Sequence, residues 1–343
     1  MLKKILSVIL AATMVLSLAA CGGNAPAADG EKTIKVGMVT DTGGVNDGSF
    51  NQSSWAGLTK AKEELGIEVA YLESKTDSDY AANIETFIDE ECDLIIGVGF
   101  MLATAIREAA TANPDQKFAI IDDNSCADLP NVACLMFKQE QPSYLVGYVA
   151  GLMTKSDNVG FVLGMSSGPM NQFGYGYAAG VLDANPDATV QMANANSFGD
   201  SAKGKSITTA MITNGADVVF HAAGGTGLGM IEACKEANIW AIGVDSDQSV
   251  LAPENVITSA LKRVDTASFE ISKAVLEGTY AAGVITYDLA SSGVDYVASD
   301  LLPEDVKTAL ADVKAKILSG EIVVPANQAD FEAKYGADVY TLD

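Results

Sequence analysis

The segment from Val39 to Asn51 carries the residues best suited to hold a small ligand. It reads Val-Thr-Asp-Thr-Gly-Gly-Val-Asn-Asp-Gly-Ser-Phe-Asn and leads from a predicted strand into a predicted helix. Its glycines let the backbone turn closely around a ligand, Ser49 is a candidate N-cap, and Phe50 offers an aromatic face at the mouth of the helix. On residue types alone, an ordinary tight turn with Phe50 buried fits the segment as well as a binding loop does.

Two other motifs have the spacing of enzyme signatures. The G-x-S-x-G pattern at residues 164–168 is that of a hydrolase nucleophile elbow, and it precedes the sole histidine, His221. The Gly-Thr-Gly-Leu-Gly run at residues 225–229 opens a predicted helix as a dinucleotide fingerprint does, but it lacks the full G-x-G-x-x-G spacing. Because His221 ends a predicted strand in an apolar run, a structural histidine is the better interpretation. We therefore expect no enzyme activity and no cofactor.

The cysteines give no metal-binding pattern. No C-x-x-C pair occurs and only one histidine is available, which argues against a zinc site. Cys126 and Cys134 flank a short loop, so a disulfide between them stays open, with free thiols as the expected state.

The elements that must position these residues follow a regular alternation. From Lys32, short β-branched runs alternate with helical segments, as in βαβ units around a parallel sheet. One series ends at the predicted strand 132–137 and a second begins at the predicted helix 142–153. We expect two doubly wound parallel-sheet lobes of an α/β protein, joined by three crossover strands. The expected division is residues 32–137 plus 257–283 for lobe 1 and 138–256 plus 284–343 for lobe 2.

Ligands of such sheets bind beyond the carboxyl ends of the strands. The loops that follow strands are therefore where a site is expected, and several begin with an aspartate directly after the strand, as Asp41, Asp122 and Asp245 do. These loops lie at residues 41–50, 99–100, 122–124, 164–170, 224–229 and 245–248.

The first thirty residues have the pattern of an export signal. Lys3 and Lys4 precede an uncharged apolar stretch at residues 5–20 that ends in Leu-Ala-Ala before Cys21. This sequence resembles the bacterial lipobox, which implies a signal peptide at residues 1–20, a lipidated Cys21 and a flexible tether at residues 21–31. We expect an extracytoplasmic protein held at the cell membrane by its lipid anchor.

The charge of the chain limits its partners. The net charge is −24, and removal of residues 1–20 would take away two lysines and no acid, which makes it −26. Such a surface repels polyphosphates and anionic lipid, so nucleic-acid binding is excluded and a neutral or cationic ligand is favoured.

Motifs along nearly the whole mature chain are similar to those of the basic membrane lipoprotein (BMP, PnrA-like) family, the purine-nucleoside-binding proteins of ABC importers. They occur in order at residues 39–51, 97–100, 120–123, 137–147, 197–205, 221–227, 242–247 and 259–262. The resemblance implies a type I periplasmic-binding-protein fold. It also implies an ABC permease as partner and a purine nucleoside, such as inosine, guanosine or adenosine, as ligand in the cleft between the lobes.

The resemblance further implies residue roles. Phe50 and Phe198 would sandwich the base, one from each lobe. The residues implied for hydrogen bonds to the edge of the base are Asn46 or Asn51, together with Asp122 and Asp123. The residues implied for the ribose hydroxyls are Asp245, Lys262 and the backbone of Gly224 and Gly225. Carboxylates suit vicinal hydroxyls because each oxygen accepts hydrogen bonds strongly.

Two points stay open within this interpretation. Asp41 would either order the first loop or touch the ligand. Residues 166–170 are smaller than the family pattern, which leaves the specificity at the edge of the pocket undetermined. The alternatives are a binding protein for a sugar or another small polar ligand, or a ligand sensor for a signalling receptor.

Overall fold

The computed structural model describes residues 33–337 and residue 340. The expected signal peptide, lipidated Cys21 and tether lie outside these residues. Within the described part of the chain, two six-stranded sheets form, each flanked by helices. Among the same residues, no helix combines the length and apolar character needed to cross a bilayer.

The first half of the chain builds the first sheet. Its elements are β1 (Lys35–Val39), α1 (Phe50–Leu65), β2 (Glu68–Leu72), α2 (Asp79–Asp89), β3 (Leu94–Val98), α3 (Ala103–Ala112), β4 (Lys117–Ile121) and β5 (Val132–Phe137). The strands of this half pair in parallel. Residues of β3 are all buried, because a parallel sheet is covered on both faces and its strands become continuous apolar runs.

The second half repeats the pattern and adds elements to both sheets. It comprises α4 (Glu140–Met153), β6 (Asn158–Leu163), α5 (Gly168–Ala184), β7 (Thr189–Asn194), α6 (Ser201–Thr213), β8 (Val218–Ala222), α7 (Gly225–Ala237), β9 (Trp240–Asp245), β10 (Val256–Lys262), α8 (Val264–Leu276), β11 (Gly283–Tyr287), β12 (Val294–Tyr296), α9 (Glu304–Ser319) and α10 (Gln328–Tyr335).

The two sheets have matching strand orders. The first reads β11-β5-β4-β3-β1-β2 and the second β12-β10-β9-β8-β6-β7. Strands β1 to β5 therefore correspond to β6 to β10. The edge strands differ, since β11 is parallel to β5 whereas β12 is antiparallel to β10. The fold is the expected pair of doubly wound lobes.

Within the described residues the chain crosses between the lobes three times: after β5, between β10 and α8, and after β11. The strand pairing differs from the expected division at two places. Residues 257–262 pair with β9 and belong to lobe 2, and residues 284–287 pair with β5 and belong to lobe 1. A strand pattern shows that a strand exists but not which neighbour it pairs with, so the expected crossovers lie a few residues from the observed ones.

Candidate functional site

A cavity lies between the carboxyl ends of the two sheets, which is where folds of this kind bind small molecules. Both lobes line it. Lobe 1 supplies Asp41, Asp47, Phe50, Asn51, Gly99, Phe100 and Asp122. Lobe 2 supplies Met170, Phe173, Phe198, Ala222, Ala223, Gly224, Val244, Asp245 and Lys262.

Asp47 organises the start of α1. Its carboxylate accepts hydrogen bonds from the backbone N–H groups of Ser49 (2.9 Å), Asn51 (2.8 Å) and Gln52 (3.1 Å). A carboxylate is a strong acceptor for the exposed N–H groups at the positive end of a helix. Ser49, the expected N-cap, makes no side-chain capping bond, and its Oγ donates to Asp245 of lobe 2 instead.

Asn51 joins two carboxylates. Its Nδ2 donates to Asp41 Oδ1 (2.7 Å) and to Asp47 Oδ2 (3.0 Å), and its Oδ1 accepts from the backbone N–H of Asp41 (3.3 Å). Asp41 Oδ1 also accepts from Gly43 N–H, so Oδ2 is left on the side of Gly99. Burial raises the pKa of Asp41 to about 6, although the hydrogen bonds from Asn51 and Gly43 oppose this shift. Asn51 therefore positions the loop, and Asp41 directs an oxygen towards the cavity.

Asp122 and Asp245 occupy corresponding places at the ends of β4 and β9. Both have left-handed backbones, with φ of 63° and 64°, a conformation that side-chain-bearing residues adopt at a cost. Asp122 Oδ2 accepts from Lys262 Nζ, and its Oδ1 is buried with no hydrogen-bond partner in the described part of the chain. Burial raises the pKa of Asp245 to about 7, against the lowering influence of the Lys262 charge and the Ser49 hydroxyl.

Lys262 is 1% exposed and sits among aromatic rings. Its Nζ lies 5.0 Å from the ring centroid of Phe50, 5.1 Å from that of Phe137 and 5.3 Å from that of Phe173. Cation–π attraction and the Asp122 carboxylate compensate for its lost hydration. Of the described residues that line the cavity, four are aspartates and one is a lysine, so the cavity disfavours anionic ligands.

Two half-buried phenylalanines come from opposite lobes. Phe50 is the first residue of α1, and Phe198 lies on the loop between β7 and α6. The Phe198 ring is held edge-to-face against Phe100, with centroids 6.4 Å apart. It also lies directly against Gly164, where a Cβ atom would stand 2.4 Å from a ring carbon. Glycine at 164 is therefore what allows the ring to rest at the end of β6.

Gln248 ties the two lobes together. Its Nε2 donates to the backbone carbonyl of Gly48 (2.9 Å) across the cleft. Its Oε1 lies 2.9 Å from His221 Nε2 and accepts from Val244 N–H. Burial lowers the pKa of His221 to about 4, so the ring is neutral and donates its Nε2–H to that oxygen. His221 thus supports an interlobe contact, and the lobes stand closed on one another.

The cavity brings together most of the residues expected from the sequence. Those that line it are Asp41, Phe50, Asn51, Asp122, Phe198, Gly224, Asp245 and Lys262. Asn46 is exposed on the loop, and Asp123 accepts from the backbone N–H and the hydroxyl of Ser125 beside a neighbouring pocket. Gly225 begins α7 behind the carbonyl of Phe198.

Sequence reasoning missed several lining side chains, namely Asp47, Phe100, Met170 and Phe173. Phe100 had a visible signal, because it follows β3 in one of the strand-end loops. Met170 and Phe173 have the i, i+3 spacing of one helical face. Since α5 is buried around most of its circumference, that spacing did not distinguish a cavity wall from the core.

The enzyme-like motifs have structural explanations. Ser166 is exposed and its Oγ donates to Asn171 Oδ1 at 3.1 Å, whereas His221 is wholly buried against Gln248. No nucleophile–base pair forms among these described residues. A Cβ at Gly227 would stand 1.9 Å from His221 Nδ1, and one at Gly229 would stand 1.8 Å from a carbonyl of α6. The glycine run therefore allows α7 to pack closely against β8 and α6.

The cysteines in the described part, Cys92, Cys126, Cys134 and Cys234, are free thiols.

A cleft of this kind between two similar lobes is a receptor site for a small ligand, and comparison with known proteins identifies its family. Residues 34–328 match the family model described as Bmp, ABC transporter substrate-binding protein PnrA-like. The chain belongs to this family. As a Bmp protein it is the substrate-binding component of an ABC transporter rather than an enzyme, and such a component works with a membrane permease.

Individual relatives agree with the assignment. The Bmp chain is 38% identical to the CD4+ T-cell-stimulating antigen of Listeria innocua, with 93% of this chain and 97% of the relative covered. It is 36% identical to the ABC transporter nucleoside-binding protein BmpA of Lactococcus lactis, with 85% and 89% covered. A crystal structure of an ABC transporter solute-binding protein from Aeropyrum pernix superposes with a TM-score of 0.81 at 28% identity, covering 88% of this chain and 96% of that one. The type I periplasmic-binding-protein fold expected for the Bmp protein is confirmed.

Proposed function

We propose that the protein captures purine nucleosides, with inosine, guanosine and adenosine as ligands, and presents them to its ABC permease. The observation that carries the proposal is the pair Phe50 and Phe198, one from each lobe, on the wall of a cavity that also holds several aspartates. The Lactococcus lactis relative, which is named as nucleoside-binding, supports it.

The two rings suit a flat heteroaromatic base. Phe50 is in contact with Lys262, and Phe198 with Phe100 and Gly164, so both rings are held in place by their neighbours. Stacking of a base on an aromatic side chain contributes about 1–3 kcal/mol. A base between the rings would be held from both lobes, and its binding would favour the closed form.

The polar groups suit a riboside without phosphate. Asp245 and the backbone of Gly224 stand at the lobe 2 side of the cavity, where ribose hydroxyls would donate to the carboxylate. Asp41 and Asp122 remain for the polar edge of the base. The excess of aspartates over the single lysine on the lining opposes a phosphate group, so a nucleoside is favoured over a nucleotide.

Closure explains how the permease would sense the ligand. The contacts from Gln248 to Gly48, from Ser49 to Asp245 and from Lys262 to Asp122 exist only when the lobes are together. A ligand that touches both lobes adds to these contacts in the closed form alone and shifts the population towards it. Stacking plus charge-assisted hydrogen bonds correspond to a dissociation constant of about 1 μM, or roughly 8 kcal/mol.

Isothermal titration calorimetry with inosine, guanosine and adenosine tests the ligand class. We expect Phe198→Ala to weaken all three alike, by about 5- to 150-fold, which is the lost stacking energy of one ring. Asp245→Ala should weaken ribosides more than the free bases, because the bases lack the hydroxyls. AMP and ribose are the controls. Absence of heat with all three nucleosides would defeat the assignment, and binding of ribose alone would make the protein a sugar receptor.

We also propose that Cys21 carries the lipid anchor that keeps the protein at the outer side of the cell membrane. Two or more acyl chains hold a protein firmly, whereas one gives only marginal binding. Expressed in a bacterial host, the parent should partition into detergent on phase separation and Cys21→Ser into the aqueous phase. Partition of both proteins into the aqueous phase would contradict the anchor without bearing on the ligand.

A further inference from the structure

A second pocket adjoins the cavity described above. It has a volume of about 470 Å³ and lies between the loop after β4, the first turn of α5 and the start of α10. We call it the side pocket, and the residues that define it here are Asp122, Gly168, Pro169, Gln172, Asn327 and Gln328. Asp122 lines both the side pocket and the main cavity, so the two spaces adjoin at this residue.

The first turn of α5 forms the partition between the two spaces. Met170 and Phe173 line the main cavity, whereas Gly168, Pro169 and Gln172 line the side pocket. Gly168, the first residue of this turn, has no side chain. A Cβ atom built at Gly168 would meet no heavy atom within 4 Å. The turn is fixed in place, since the carbonyl of Pro169 accepts from Gln139 Nε2 at 2.7 Å.

Asp122 supplies an independent sign of a ligand group at this junction. The residue is 3% exposed, and its Oδ2 is occupied by Lys262 Nζ. Its Oδ1 is buried without a hydrogen-bond partner among the described residues. A buried carboxylate oxygen that accepts nothing is costly, so a donor from a ligand would be bound there. An exocyclic N–H on the edge of a base is such a donor.

From this geometry we infer that the protein accepts purine ribosides substituted on the exocyclic N6 nitrogen, with the substituent lying in the side pocket. The inference rests on the proposed nucleoside function and names the specificity of that site. A monosubstituted N6 keeps one hydrogen, which donates to Asp122 Oδ1. The substituent then passes over Gly168 into the space lined by the amides of Gln172, Asn327 and Gln328.

The test compares four ligands by isothermal titration calorimetry on the full mature chain: adenosine, N6-benzyladenosine, N6,N6-dimethyladenosine and 5′-deoxy-5′-methylthioadenosine. We expect N6-benzyladenosine to bind within about tenfold of adenosine. N6,N6-dimethyladenosine should bind at least tenfold more weakly, because it has no N6 hydrogen for Asp122.

Two substitutions at Gly168 test whether free space in the side pocket is needed to bind the N6 substituent. Gly168→Phe places a ring in the side pocket and should weaken N6-benzyladenosine at least tenfold while leaving adenosine within about twofold. Gly168→Ala is the matched control and should leave both ligands unchanged. Thermal unfolding by circular dichroism checks that both variants are folded, and Gly168→Leu replaces Gly168→Phe if the latter is not.

The outcomes are distinct. Binding of adenosine with no binding of N6-benzyladenosine overturns the inference and leaves the nucleoside function standing. An equal loss of both ligands in the folded Gly168→Phe protein also overturns it. If Gly168→Phe discriminates against the 5′-methylthio compound instead, the ribose faces the side pocket and the inference is wrong. Failure of every nucleoside, including inosine and guanosine, defeats the proposed function itself.

Discussion

A substitution at Gly164 tests most directly whether the Phe198 ring contributes to ligand binding. In Gly164→Ala the new Cβ would stand 2.4 and 2.5 Å from two ring carbons of Phe198 and 3.0 Å from Ala223 Cα. Real Cβ contacts shorter than 3.0 Å essentially never occur, and ordinary contact begins at 3.4 Å. The Phe198 ring must therefore move by about 1 Å, since the backbone of Ala223 blocks the other direction.

The size of the effect follows from how stacking depends on distance. A gap of about 0.5–1 Å forfeits a quarter to a half of the dispersion well, and stacking of one base contributes about 1–3 kcal/mol. The expected loss is thus about 0.3–1.5 kcal/mol, or roughly 2- to 12-fold in the dissociation constant. Crowding should also lower the free energy of unfolding by about 1–3 kcal/mol, partly offset by the lower entropy of the unfolded chain.

Inosine titration of Gly164→Ala beside Gly168→Ala is the assay. The second variant makes the same substitution four residues further on, where no heavy atom lies within 4 Å, and should bind inosine as the parent does. Urea unfolding of both proteins reports the stability change. Parent-like inosine affinity in a folded Gly164→Ala protein would refute the reasoning, because the displaced ring would then contribute nothing to binding.

Two further predictions concern the charged residues of the cavity. Because burial raises the pKa of Asp245 to about 7 and ribose hydroxyls donate to the ionised form, nucleoside affinity should rise about tenfold from pH 6 to pH 8. Titrations at pH 6, 7 and 8 measure this, and the dependence should be largely lost in Asp245→Asn; a flat profile in the parent contradicts the ribose contact. Lys262→Met leaves the buried Asp122 without its counter-charge and should lower the free energy of unfolding by about 3–5 kcal/mol. The double variant with Asp122→Asn should recover part of that loss in urea unfolding, and full stability of Lys262→Met alone would show that the ion pair contributes nothing.

The strands were the most predictable part of the fold. The apolar run at residues 94–98 predicts a strand buried on both faces, and β3 forms at Leu94–Val98. Helix starts were less predictable. The sequence pattern predicts a helix at residues 171–184, whereas α5 begins at Gly168, since Pro169 is tolerated in the first turn. Helix α10 was missed, because a short polar segment carries little periodicity.

The site was predictable to the extent that topology fixes it. Aspartates that follow parallel strands lie at the carboxyl edge of their own sheet, where ligands bind, which is why Asp122 and Asp245 could be selected from the sequence. The sequence did not decide whether Asn46 or Asn51 lines the cavity, because the positions of the two side chains do not follow from the spacing of residues. The bond from Gln248 to Gly48 joins positions 200 residues apart, and only the packed lobes reveal it.

The exchange of strands between the lobes has a consequence for biogenesis. Strand β5 can gain its outer neighbour only when residues 283–287 have been synthesised, and α8, which packs on α1, arrives just before them. Until then β5 has no outer neighbour in the sheet and one face of α1 is uncovered. Lobe 1 therefore cannot finish folding before this part of the chain has been made. Truncation of the chain from the carboxyl end should therefore remove packing elements from both lobes at once, since β11 belongs to lobe 1 and β12 to lobe 2.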